Sequence, residues 1–576
     1  LQIGLPGLEV GDLVRYVARE RTLKTRVPNT WCTYQTFEGT SPLKHTIYEV
    51  SAPKALPLRT IALKSPVADT VKFTQTDVEN NRTLYRWEVT DVPRTFMEPN
   101  MPDLYTVVQR LLLSTTPDWQ TLSKWYCNLS EPHLKATPAM QSKVAELTSG
   151  LKSDEEKVNA IFHWASHEIR YMGITTEAEA PGYEPHDASM TFENRHGVCR
   201  DKAALLVTLL RAAGLKSWPT LIMAGAKKDE EVPTPYFNHA IVCWEKKPGE
   251  YVLMDPTNEN TKDIFPTYLC NRSYLVAKPE GETLRVSGIV PAEKNLVRIE
   301  SKGKLDAAGN LSCLTTIAFD GINDTLYRGA FIQKKPEELR RYFEGLVKAI
   351  APGATLTSLE ITPSNFQDTS KPLSAKVNFE AKDLLVRGNG LTMLTPPRFG
   401  ASVGVATQVI GQTGLEKRKY MMDTEFACGV RESLRLELDP AIGNVESLPE
   451  YAPVSDDIMS VKRTAQLQDN GRVLVADSDF LFKAVEVNPA QYLVLKGHLK
   501  EMEFDARKRV IFKGGNSGVA ADMRILSKDV AYDVQDGHNW TVTESTRYQV
   551  LTYKGKKENS ELRFLYNPAW ESVELE

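Results

Sequence analysis

Long apolar runs are missing from this chain. No stretch approaches the ~20 consecutive apolar residues that a membrane-spanning helix needs, so no transmembrane segment is expected. An excess of one charge is missing too. The 70 Lys and Arg stand against 74 Asp and Glu, a formal net charge of −4 spread along 576 residues. Neither a nucleic acid nor an anionic membrane is implied as a partner. Cysteine is scarce: Cys32, Cys127, Cys199, Cys243, Cys270, Cys313 and Cys428 lie scattered, odd in number and without a C-x-x-C. That pattern argues against a zinc finger, a redox dithiol and a disulfide framework. There is no P-loop, no G-x-G-x-x-G and no G-x-S-x-G, which removes the usual nucleotide and serine-hydrolase signals. No cofactor is called for. No repeat occurs at solenoid periods. The chain opens at "LQIGLPGLEVGD" with neither an initiator Met nor a signal-peptide pattern, as expected where a leader has been removed.

What remains is an ordinary globular composition, 41% hydrophobic and 25% charged. The length suggests about three to five domains. Residues 1–115 are rich in Val, Thr, Tyr and Trp, broken by Pro and Gly, and read as strands such as "GDLVRYVARE" and "TLYRWEVTDV". Helical periodicity becomes clear after Ser153, where Ser153 and Glu156 have capping-box spacing. Residues 116–277 then read as α+β. A Pro/Gly/Glu-rich linker lies near 278–294. Residues 295–510 return to strands, with one helix at "PEELRRYFEGLVKAIA". A last strand segment, 519–576, has turns at "QDGHN" and "YKGKK".

The chemistry concentrates in "ENRHGVCRDKAALLVTLLRAAG", residues 193–214. Ala203, Leu206, Leu209, Leu210 and Ala213 form an apolar stripe, and Gly214 ends the helix. Cys199 therefore stands at a helix N-terminus, where unpaired N–H groups and the helix dipole favour thiolate. A thiolate nucleophile needs a base and a group to hold that base. His239 lies near the start of the strand "YFNHAIVCWE", and Asp255 where the strand "YVLMDPTNEN" runs into Pro256. Two neighbouring antiparallel strands would bring His239 and Asp255 together.

"GVCRDKAALLVTLLRAAG", "NHAIVCW" and "YVLMDPT", in this order, resemble the core of the transglutaminase-like superfamily. "EIRYMGI" and "PHDASMTFENRHGVC" resemble that core's lead-in. The resemblance covers roughly residues 150–275 and implies a papain-like α+β fold between β-sandwich-like domains. It implies Cys199 as nucleophile, His239 as base and Asp255 as the residue orienting His239. Val198 and Arg200 depart from the Asp and Lys that often flank this Cys in bacterial relatives; Asp201 and Lys202 are kept. Residues 1–115 resemble the second half of a β-domain that often precedes the core in bacterial proteins. Residues 519–576 resemble its missing first half, so one domain split between the termini is expected, with a truncated second copy as the alternative. Residues 295–510 resemble the β-domain that commonly follows.

Each candidate has a plainer reading. A lone Cys is most often a small buried hydrophobe, His239 could be a core histidine, and Asp255 a turn former. Cys243, four residues beyond His239 on the same face, reads as packing. Tyr171 could donate to an oxyanion beside the N–H of Cys199, or simply edge the core. His163 and His167 have i, i+4 metal-ligand spacing but lack the Glu of a zincin motif and a third ligand, so no metal site is assigned. The ordered motifs favour a thiol acyl-transfer enzyme acting on a protein, peptide or cell-wall amide. Hydrolysis makes it a cysteine protease or amidase; transfer to an amine makes it a transglutaminase. A non-catalytic protein- or glycan-binding module is the third reading. The β-rich build and the resemblance favour a periplasmic or extracellular location.

Overall fold

The computed structural model describes residues 3–56, 58, 60–64, 70–173, 182–351, 353–388, 390–514 and 521–575. Around the site, the helices Cys199–Ala212 and Trp119–Ser130 pack on a five-stranded antiparallel sheet. Its strand order is Glu250–Met254, His239–Lys247, Ser217–Ile222, Ser273–Val276 and Arg285–Val286. The helix Cys199–Ala212 runs through the middle, with Ala203 to Leu210 buried almost without interruption. A helix apolar on all sides must be wrapped on all sides. Helices Pro138–Thr148, Asp154–Glu168 and Ala188–Asn194 cover it outside, and strands His239–Lys247 and Ser217–Ile222 inside. Phe162, Leu205, Leu206, Val242 and Met254 form one continuous core.

The capping box at Ser153 is formed: the Ser153 hydroxyl accepts from the N–H of Glu156 at 3.2 Å, and the Glu156 carboxylate from the N–H of Ser153 at 2.9 Å. Gly214 ends the Cys199 helix with φ +80°, a value that glycine adopts freely. Helices Trp119–Ser130 and Pro138–Thr148 precede Ser153, where sequence periodicity shows no clear helix.

Residues 32–114 form two three-stranded sheets that share the core of Phe37, Trp87, Val89 and Leu111. The stretch "GDLVRYVARE", read as a strand, forms none. Leu13, Tyr16 and Val17 are exposed there, and without a partner edge the alternating pattern has nothing to pair with. Beyond residue 295 an eight-stranded sheet and a four-stranded sheet bury one large core. This region holds more helix than the sequence suggested: Ile322–Ile332, Val405–Gly411 and Pro489–Asp505 join the expected Pro336–Ile350.

The last segment departs from expectation. Strands Met523–Val534 and Trp540–Val550 pair with each other, and among the described residues with no strand of 1–115. A hairpin closed by a turn of a few residues costs little loop entropy, whereas a partner at the other end of the chain costs more. "YKGKK" is part of a short helix, Tyr553–Glu558, not a turn. It abuts the C-terminal β-region: the N–H of Tyr553 donates to the Asp383 carboxylate at 2.9 Å. Among the described residues no helix is long and apolar enough to cross a membrane.

Candidate active site

Three elements bring the predicted residues together. Cys199 is the first residue of its helix, His239 the first of its strand, and Asp255 follows the end of the neighbouring strand Glu250–Met254. The two strands are antiparallel, with Val242 opposite Met254, so the start of one meets the exit of the next. His239 Nε2 lies 3.0 Å from Oδ2 of Asp255. That leaves Nδ1 as the ring nitrogen available to the Cys199 thiol, which lines the same cleft and lies close enough for the two charges to stabilise each other.

The supports reach well past the three side chains. Asp255 is fully buried. Besides His239 it accepts from the N–H of Thr257 at 3.0 Å, the Thr257 hydroxyl at 2.7 Å and the Tyr268 hydroxyl at 2.9 Å. Asn238, the residue before His239, is clamped to Ala224, two residues past the end of the strand Ser217–Ile222. Its side chain accepts from the N–H of Ala224 at 2.8 Å and donates to the Ala224 carbonyl at 2.7 Å. The loop entering that strand is fixed from outside: Arg110 pairs with Asp229 at 2.9 Å, and the Tyr183 hydroxyl donates to the Phe237 carbonyl at 2.8 Å.

Lys202, 1% exposed, points away from the cleft. Its ammonium donates to the carbonyls of Ser166 and Ile169, capping the C-terminal end of the Asp154–Glu168 helix. The Ser166 hydroxyl in turn donates to the Asn258 carbonyl at 2.7 Å, three residues past Asp255. One buried cation thus ties the Cys199 helix, its neighbour and the Asp255 loop together. Burial lowers its pKa to about 8 against the charges of Glu259 and Asp255.

Electrostatics divides the proton unevenly. Burial would push the Cys199 thiol up. The hydrogen bond and charge of His239, with the N–H groups of Ala240 and Arg200, outweigh it, and the thiol lies below the ordinary cysteine value. Burial would pull His239 down, but its hydrogen bonds to Asp255 and Cys199 raise it to about 10. Burial also opposes ionisation of Asp255, and the His239 and Thr257 contacts overrule it. Thiolate, imidazolium and carboxylate in line is the state these shifts favour.

The other cysteines behave differently. All seven are free, and burial raises Cys243 to about 12. Tyr171 stands near enough for the charges of Cys199 and Asp255 to raise its phenol further than burial alone. No hydrogen bond joins it to Cys199; its backbone N–H donates to Glu259 at 2.5 Å. His163 and His167 lie ring to ring at 5.6 Å, and His167 Nε2 meets the Thr369 hydroxyl at 3.2 Å. Among the described residues no group of three metal-ligating side chains is present.

Cys199 and His239 open into a cleft of about 320 Å³, lined also by Arg26, Tyr126, Tyr183, Arg200, Phe237 and Asn238. Arg26, Tyr126, Tyr183 and Tyr268 are site residues that sequence reasoning missed. They come from distant segments and carry no motif of their own.

Residues 141–256 match the model of the transglutaminase-like superfamily, and residues 1–96 match a domain of unknown function, DUF3857. The central region is therefore a transglutaminase-like α+β core, accompanied by the β-domain expected before it. The fold as a whole is similar to that of a candidate protease from Parabacteroides distasonis, at 15% identity and a TM-score of 0.53, covering 85% of this chain and 76% of that one. A candidate cysteine protease from Cytophaga hutchinsonii shares 15% identity over 40% of this chain and 78% of its own, TM-score 0.18. The periplasmic domain of TgpA from Pseudomonas aeruginosa shares 17% over 39% and 75%, TM-score 0.18. No curated protein sequence matches the chain.

Proposed function

We propose that this protein is a thiol acyl-transfer enzyme with Cys199 as nucleophile, His239 as acid and base, and Asp255 as the group that orients His239. The observation that carries the reading is the geometry: Cys199 at the first position of its helix shares a cleft with His239, whose Nε2 is held 3.0 Å from the fully buried Asp255 carboxylate, and a thiol pushed down beside an imidazole pushed up agrees with it. The Cys199 thiolate attacks an amide carbonyl, forming a C–S bond and an oxyanion. N–H groups at the start of the Cys199 helix stabilise that charge, and Tyr171 is a candidate second donor. The His239 imidazolium gives its proton to the departing amine as the C–N bond breaks. Neutral His239 then takes a proton from water, which attacks the thioester; the C–S bond breaks to release a carboxylic acid and restore the thiolate beside the His239 imidazolium.

We favour hydrolysis of peptide or amide bonds, since water is the default second nucleophile. Transfer to an amine would use the same acyl-enzyme. A binding module without chemistry has no need of an ion pair opening into a cleft. The β-rich multidomain build favours substrates of the cell envelope or exterior. Iodoacetamide at near-neutral pH tests the core of the reading. Cys199→Ala should abolish labelling and Cys243→Ala should leave it intact. Equal labelling of several cysteines, unaffected by Cys199→Ala, would make Cys199 a structural thiol.

A further inference from the structure

The cleft above Cys199 holds two positive side chains that the acyl-transfer chemistry does not use. Arg200 follows Cys199 on the helix and is 9% exposed. Its Nε and Nη2 are buried and, among the described residues, have no hydrogen-bond partner. Its ion pair is loose, with Nε 3.8 Å from Oδ1 of Asp201. That carboxylate is already engaged: Oδ2 accepts from the N–H of Val198 at 3.1 Å, and Oδ1 meets the N–H and ring of His186 at 3.0 and 3.1 Å. Arg26 reaches the same cleft from the N-terminal segment, its guanidinium 6.0 Å from the Tyr183 ring centroid. Among the described residues, no Asp or Glu lines the cleft.

A buried guanidinium with unused N–H groups is costly, and an arriving carboxylate removes the cost. Arginine's planar fork matches a carboxylate in two parallel hydrogen bonds. Resting on the acyl-transfer reading, we propose that Arg200, with Arg26 at the rim, selects amide substrates that carry a carboxylate beside the scissile bond. The basic cleft would gather the anion and hold it one residue from the reactive sulfur. Aromatic walls from Tyr126, Tyr183 and Phe237 would pack the apolar part of the substrate.

Two alkylating reagents isolate this effect. Iodoacetate and iodoacetamide both form a C–S bond to Cys199 and release iodide; only the first brings a carboxylate. The iodoacetate-to-iodoacetamide rate ratio at Cys199 should exceed that of free cysteine by about tenfold at low salt and shrink as salt screens the charges. Arg200→Gln should return the ratio toward that of free cysteine, Arg200→Lys should retain part of the preference, and Arg26→Gln should lower it less. Arg26 is exposed, so its replacement tests the field without endangering the fold. Protection of Cys199 by N-acetylglutamate α-amide would place an acidic side chain at Arg200; protection by N-acetylalanine would place a chain-terminal carboxylate there. A ratio equal to that of free cysteine in the unmodified protein, or one unmoved by both Gln variants, overturns the proposal while leaving the nucleophile in place. Failure of Cys199 to react with either reagent overturns the acyl-transfer reading and this one with it.

Discussion

The middle of the molecule and its two ends treat similar side chains in opposite ways. In the core, Leu205 and Leu206 are 0% exposed, and even Lys202 is sealed. At the ends, Leu13 is 96%, Leu565 100% and Trp570 87% exposed. Burying one large apolar side chain is worth about 1.5–3 kcal/mol, a gain that the core side chains realise and these terminal ones do not. The core closes because helix, sheet and loop meet at shared polar anchors: Lys202 under the helices, Asp255 between strand and loop. The terminal hairpin has one strand partner on each strand and an open face, and such hairpins are marginal alone.

Breaking an anchor should have the largest effect. Asp255→Ala removes a fully buried acceptor and strands the donors of Thr257, Tyr268 and His239. It should cost about 3–5 kcal/mol, measurable as a lowered denaturation midpoint, because buried charge partners are left unpaired. A loss under about 1 kcal/mol would show that the loop relaxes around the gap. Lys202→Met keeps the volume but leaves the Ser166 and Ile169 carbonyls without their donor. About 1–3 kcal/mol is expected, with protection from hydrogen exchange lost first near the end of the Asp154–Glu168 helix.

The pH dependence of labelling sharpens the same contrast at the site. The Cys199 thiol is held below its ordinary value, so iodoacetamide reactivity should rise with pH to a plateau reached below the pH an unperturbed cysteine requires. In Asp255→Asn the His239 ring loses the partner that raises it, and the thiol loses its neighbouring positive charge. Burial is then opposed only weakly, and the reactivity curve should move to higher pH. A curve that stays in place would mean that the helix N-terminus alone sets the thiolate.

Much of the core was legible because its information is local. Cys199 precedes an unbroken apolar helix, Ser153 and Glu156 announce a cap, and His239 and Asp255 sit at the ends of adjacent strands. Arg26, Tyr126 and Tyr268 were illegible because each reaches the site through tertiary packing alone. Helix Pro489–Asp505 left a signal that went unread: Pro489 at its first turn and the Asn488–Gln491 capping pair, both formed in the structure. The stretch at residues 11–20 shows the converse failure. Its alternation satisfies the strand pattern, but a strand also needs a free edge, and the sequence does not say where one is.

The smallest expected effect concerns the ends. Among the described residues the hairpin pairs with no strand of the Cys199 core, and its short helix abuts Asp383 of the C-terminal region. Truncation after Gly514 should leave hydrogen-exchange protection of Ser217–Ile222 and His239–Lys247, and the labelling of Cys199, unchanged within error. Where the truncation does act separates the two accounts of the segment. Loss of protection around Asp383 follows from the docking seen here. Loss in Leu43–Pro53 and Arg82–Val92, the strands of the N-terminal sheet, would mean that residues 519–576 complete that domain as the sequence resemblance implies. The exposed Trp540, Leu565 and Trp570 would then pack against that sheet, a contact that strand pairing among the described residues does not show.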